Sequence, residues 1–195
     1  EIPISIDTRS SRVAMAFEKN NINFINDVSS GCHDSDMLDV VSKLGCSYIM
    51  THMPREHKEG SIKVYDDVLS EIKTYFTDRI QKCVEAGISK EKIIIDPGIG
   101  FGKSGENNIN LLKNIKWLKT IHSNVCIGSS NKRYSSQLFK HIQTKEDLRI
   151  ANLATFATST FYGVTYLRVH DVGLTKDTVL VINKAVELEL SLIHI

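Results

Sequence analysis

The sequence has no long apolar run, no excess of charge of either sign and no dense set of cysteines. Each gap excludes a class of protein. Among 195 residues, 24 Lys and Arg face 23 Asp and Glu, a net charge of +1. No global field gathers nucleic acid or anionic lipid, so neither is expected as a partner. No apolar run approaches the ~20 residues that span a bilayer. The opening residues, EIPISIDT, carry no signal-peptide pattern. A cytoplasmic location is expected, with a mitochondrial one open for a eukaryotic source. The cysteines, Cys32, Cys46, Cys83 and Cys126, show no CxxC spacing and read as buried, reduced thiols rather than metal ligands. Rossmann and P-loop spacings are missing, as are linkers, low-complexity tracts and domain boundaries.

What is present is alternation. Short β-rich runs, PISID, NFIND, SYIMTH, KIIID, VCIG and TYLRVHD, are separated by helical patterns. Residues 10–20 place Val13, Ala16 and Phe17 on one face. Residues 34–45 start on Asp34 as cap and stop at Gly45. Residues 64–87 give the longest helix, with Val64, Val68, Leu69, Ile72, Phe76 and Ile80 near helical spacing and Gly87 as the stop. Residues 105–120, 147–163 and 176–190 complete the series, with a Thr144-x-x-Asp147 capping box before the second of these. Six βα units in a row predict a parallel sheet with right-handed crossovers.

The polar residues choose between a doubly wound sheet and a barrel. Asp7, Asn26 with Asp27, His52, Asp96, Lys132, and Arg168 with His170 all sit at or just past strand ends. Polar groups on every strand end are the pattern of a (β/α)8 TIM barrel, whereas a doubly wound sheet concentrates them at one switch point. The fold class is therefore α/β, a TIM barrel incomplete at six βα units. Asp96 closes the strand of IIIDPGIGFGK. It reads equally as a turn cap and as an anion at a pocket mouth that accepts parallel N–H bonds from an amidine-like edge. Asp7 reads also as a helix cap, and Asn26–Asp27 as a tight turn. Together the three offer acceptors suited to a heterocycle rich in N–H donors. Arg168 and His170 alternate on one strand and, with Asp171 to orient the ring, make an anion clamp. His52 reads as a satisfied buried histidine, Met50 as core, and Met53 as a soft apolar surface under a planar ligand.

SIDT, INDVSSG, THM, IIIDPGIGFGK, IGSSNKR and LRVHDV resemble, in this order, the motifs of dihydropteroate synthase. That family implies an enzyme of folate biosynthesis, a transferase. It joins 6-hydroxymethyl-7,8-dihydropterin diphosphate to p-aminobenzoate, giving 7,8-dihydropteroate and diphosphate. The resemblance implies that Asp7, Asn26 and Asp96 bind the pterin edge and that Met53 and Val28 pack on its face. Lys132 would lie against the pterin and the p-aminobenzoate site, and Phe101 would line the latter. Arg168 and His170 would hold the diphosphate. Asp7, Asp96 and Lys132 would act in catalysis, the two carboxylates by stabilising a pterin cation. Mg²⁺ is implied as a cofactor, with its protein ligand upstream of these residues, so no metal ligand is assigned within them. A homodimer and an upstream pyrophosphokinase domain are implied for the complete protein.

Measured against the family, the sequence starts at the third barrel strand, and Asn131 stands where an arginine is usual. Residues 1–190 are expected to be a partial barrel and 191–195 a candidate non-native tail, with the isolated piece inactive. Two other readings share the pterin grip: a methyltetrahydrofolate–corrinoid methyltransferase domain, and a non-catalytic pterin-binding module. The first has no need of Lys132 or the Arg168–His170 pair, because no diphosphate leaves.

Overall fold

The computed structural model describes residues 2–54, 61–129 and 134–192. Six strands and eight α-helices alternate through them. In order they are β1 (Ser5–Asp7), α1 (Ser11–Met15), β2 (Phe24–Asp27), α2 (Met37–Leu44), β3 (Ser47–Thr51), α3 (Val68–Glu85), β4 (Ile93–Asp96), α4 (Gly105–Lys113), α5 (Ile115–Ile121), β5 (Cys126–Ile127), α6 (Tyr134–Leu138), α7 (Lys145–Phe161), β6 (Tyr166–Leu167) and α8 (Val172–Leu192). β1 to β4 pair in parallel and in sequence order. β5 pairs with β6, and an Ile95–Val125 bridge joins the two groups. The order never reverses, so there is no switch point. The sheet also curls. Phe24 on β2 meets Tyr166 on β6 edge-to-face with ring centroids 6.1 Å apart. In a flat sheet those strands would lie ~19 Å apart, at ~4.8 Å per strand. This is an incomplete TIM barrel of six βα units.

Register sorts the residues onto two faces. Phe24, Ile49, Ile94, Cys126 and Tyr166 form a small cluster inside the curl. Ile25, Tyr48, Met50, Ile93, Ile95, Val125 and Ile127 face outward and join the larger core beneath the helices. Both faces are covered, which is why β4 is a run of three isoleucines rather than an alternating strand. Helix α3 clamps the outer face with buried Val68, Ile72, Phe76 and Cys83. The capping box at Thr144 and Asp147 forms as expected, and Gly45 ends α2 in the left-handed region.

Helix boundaries depart from the sequence reading for identifiable reasons. Asp34 does not cap α2. Its carboxylate accepts the Ser11 N–H at 2.8 Å and so anchors the start of α1. Helix α3 begins after Asp67, whose side chain accepts from Leu69 N, and Val64 lies outside it, 88% exposed. Residues 105–120 break at Asn114 into two helices. Helix α6 has no counterpart in the expected series.

Candidate functional site

Four side chains from four strand ends form one chain of hydrogen bonds at the mouth of the curl. Asn26 Nδ2 donates to Asp7 Oδ2 at 3.0 Å. Arg168 Nη1 donates to Asn26 Oδ1 at 2.8 Å, and Nη2 donates to Asp96 Oδ2 at 2.7 Å. Asp96 is fully buried and Asn26 nearly so, whereas Asp7 is exposed. Burial alone would lower the pKa of the Arg168 guanidinium; the Asp96 carboxylate outweighs it and holds the group above its ordinary value. The two oxygens of Asp96 have different partners. Oδ1 caps the turn by accepting from Gly98 N at 2.8 Å, and Oδ2 faces the mouth.

Asn26 and Asp27 divide the two roles weighed for them. Asp27 points outward and organises the following turn. Its carboxylate accepts from Ser29 N (2.8 Å), Ser29 Oγ (2.6 Å), Gly31 N (2.7 Å) and the Tyr48 hydroxyl (2.7 Å). Val28, half-buried, rides on that turn. Asp7 does not cap α1, since Asp34 supplies that group.

The glycine loop after β4 is pinned from below. Gly98 has φ +70°, and a Cβ there would lie 2.1 Å from the His52 carbonyl oxygen, so only glycine fits. Lys103 is 2% exposed, and its Nζ donates to the carbonyls of His52 (3.0 Å), Gly98 (3.0 Å) and Phe101 (3.2 Å). Burial lowers its pKa to about 7, against the opposing pull of Asp96. Phe101 is thereby held half-buried on the loop. The sequence reading gave Lys103 no role. Its signal was a lone cation ending a glycine run.

His52 corrects another expectation. It points outward from β3 onto Tyr75 of α3, ring centroids 4.8 Å apart, and among the described residues its buried Nδ1 has no hydrogen-bond partner. Burial, with Lys103 and Lys63 nearby, drives its pKa down to about 2. Met53, half-buried, lies with His52, Pro54, Lys63, Tyr75 and Arg79 along a cleft of about 640 Å³. His170 lines a different groove, about 480 Å³, with Lys145, Arg149, Asn152 and Phe156 of α7. Arg168 is not among that groove's lining residues. Asp171 does not serve as its orienting partner; it pairs with Arg149 at 3.0 Å. The structure therefore brings Asp7, Asn26, Asp96 and Arg168 together, and His170 lines the groove beside α7. Lys132, with Asn131 and Arg133, lies outside the described residues.

Among the described residues no three His, Cys, Asp or Glu side chains converge into a metal-binding cluster. Asp7 and Asp96 are engaged by Asn26 and Arg168 instead. No helix among the described residues is long and apolar enough to cross a membrane.

A family model described as pterin binding enzyme matches residues 1–170. The chain is 32% identical over 185 residues to a dihydropteroate synthase of Escherichia coli, covering 93% of this chain and 64% of that protein. It thus spans less than two thirds of that relative's length. It is 31% identical over 188 residues to the mitochondrial folate synthesis bifunctional protein of Pisum sativum, covering 90% of this chain and 36% of that one. Its fold is similar to that of a Xanthomonas albilineans dihydropteroate synthase solved with 4-aminobenzoic acid. The TM-score is 0.86 at 34% identity, over 95% of this chain and 68% of that one.

Proposed function

Because the chain belongs to the pterin-binding enzyme family, we propose that it carries the pterin site of a dihydropteroate synthase. The observation that carries the reading is the meeting of Asp7, Asn26 and Asp96 at one mouth, from β1, β2 and β4. Two carboxylates and an amide oxygen suit the N–H-rich edge of a pterin. Asp96, buried and already bonded to Gly98 N, is fixed in orientation before any ligand arrives. Met53 and Val28 supply apolar surface for the ring, and Phe101 lines the p-aminobenzoate slot. Lys132 sits against both substrates. Arg168 and His170 hold the diphosphate.

In the proposed reaction the bond from the pterin methylene carbon to the diphosphate oxygen breaks, and diphosphate leaves with the electron pair. The methylene carbon then bonds to the aniline nitrogen of p-aminobenzoate, which loses one proton to solvent or the departing anion. The carboxylates of Asp7 and Asp96 oppose the positive charge that builds on the ring between these events. Magnesium, when bound, would neutralise charge on the diphosphate. The proposal extends to a homodimer for the complete enzyme, and the pea relative's name is in keeping with an added domain and a mitochondrial location in a eukaryotic source.

Incorporation of labelled p-aminobenzoate into dihydropteroate by the complete protein tests the reading. Turnover supports it. Pterin binding without turnover, or methyl transfer from methyltetrahydrofolate, would replace it with one of the other two readings.

A further inference from the structure

Arg168 occupies the acceptors that the proposed function gives to the pterin. Its two Nη groups take Asn26 Oδ1 and Asp96 Oδ2 at 2.8 and 2.7 Å. A guanidinium is planar and presents parallel N–H donors. The aminopyrimidinone edge of a pterin presents the same pattern from its ring N–H and exocyclic amine. We infer that Arg168 is a built-in competitor for the pterin edge, docked on Asn26 and Asp96 and displaced by the incoming heterocycle. The inference rests on the pterin reading above.

Three features make the docking a built one. Asp96 is 0% exposed and its Oδ2 has, besides Arg168, only a long bond from Thr51 Oγ1 at 3.4 Å among the described residues, so the buried carboxylate depends on a strong cationic donor there. The strand end at Gly128 is cut away to receive the guanidinium. A Cβ at Gly128 would stand 2.7 Å from Nη2 and 3.0 Å from Cζ and Nε. The Arg168 side chain also stays 34% exposed, so it has an open path outward. Asp96 Oδ1 keeps its bond to Gly98 N throughout, and the carboxylate therefore holds still while its other oxygen exchanges one donor for another.

The exchange couples the two ends of the substrate. A bare pterin evicts a cation that then gains only water. A pterin bearing a diphosphate evicts the same cation and gives it an anion to meet. Arg168 thus penalises the bare heterocycle and favours the charged one without touching both at once.

The test titrates the chain and its Arg168→Ala variant with 6-hydroxymethyl-7,8-dihydropterin, which lacks the diphosphate. The variant should bind it more tightly, by roughly tenfold if the guanidinium fills the site nine-tenths of the time. Millimolar methylguanidinium should compete with the pterin in Arg168→Ala and have little effect on the unaltered chain. Nitrogen-15 NMR of the unaltered chain needs no variant: pterin should move the Arg168 guanidinium signals to solvent-like values. Equal or weaker binding by Arg168→Ala, no competition by methylguanidinium, or guanidinium signals that stay put would each overturn the inference while leaving the pterin reading intact. Absence of pterin binding by the unaltered chain would overturn the reading itself, and this inference with it.

Discussion

Asp27→Asn should destabilise the fold more than a change of one atom suggests. The carboxylate is fully buried and accepts four bonds, two on each oxygen. Asparagine keeps one acceptor oxygen. If that oxygen stays with Ser29, the amide NH₂ faces the Gly31 N–H, which is left without an acceptor, and the Tyr48 hydroxyl must turn. Bonds to a charged acceptor are worth about 1.5–3 kcal/mol each. Losing one and weakening another, less the relief of no longer burying a charge, gives a net loss of about 2–4 kcal/mol. That is a large share of the roughly 5–15 kcal/mol typical of a domain, and corresponds to a Tm drop of about 5–15 °C. Urea unfolding followed by fluorescence of Trp117, the single tryptophan, measures it. The neighbouring Asn26→Ala provides the contrast, since its side chain serves the mouth and its loss should fall on ligand affinity. A change under about 0.5 kcal/mol for Asp27→Asn would refute the division of labour between these adjacent residues.

Two further predictions concern the scaffold. His52 has a folded pKa of about 2 against an ordinary 6.5, so below pH 6.5 the unfolded chain holds a proton that the folded chain refuses. Stability should therefore fall as pH drops from 6.5 to 5, by about 1.6 kcal/mol, and His52→Phe should flatten that slope; parallel curves for the two proteins would refute the assignment. Gly98→Ala places a Cβ against the His52 carbonyl in a left-handed position, so it should cost roughly 3 kcal/mol or more in denaturant titrations and also weaken pterin binding by moving the Gly98 N–H away from Asp96; a stable variant with unchanged affinity would show the loop free to relax.

The sequence made the strand ends legible because chemistry there breaks apolar patterning. Asp7, Asn26, Asp96 and Arg168 all interrupt β-rich runs, and all four meet at the mouth. The capping box and the glycine stops were legible because they act over a few residues. Contacts across the chain were not. Asp34 anchors a helix 23 positions upstream, and Arg168 bonds Asn26 across 142 positions. No local pattern carries either partnership. Strand alternation does not reach His170, because β6 ends at Leu167 and His170 lines the groove beside α7. The break at Asn114 was hidden because helical spacing continues on both sides of it.

The account stands most directly on Asp96 as the pterin's anchor. Calorimetric titration of the chain and its Asp96→Asn variant with 6-hydroxymethyl-7,8-dihydropterin tests it, with unfolding curves run alongside. The variant replaces a charged acceptor by one that offers a clashing donor, at about 1.5–3 kcal/mol per charge-assisted bond, so affinity should fall at least tenfold while the variant remains folded. Unchanged affinity in a folded variant would contradict the account and leave Asp96 as the cap of the turn at Gly98.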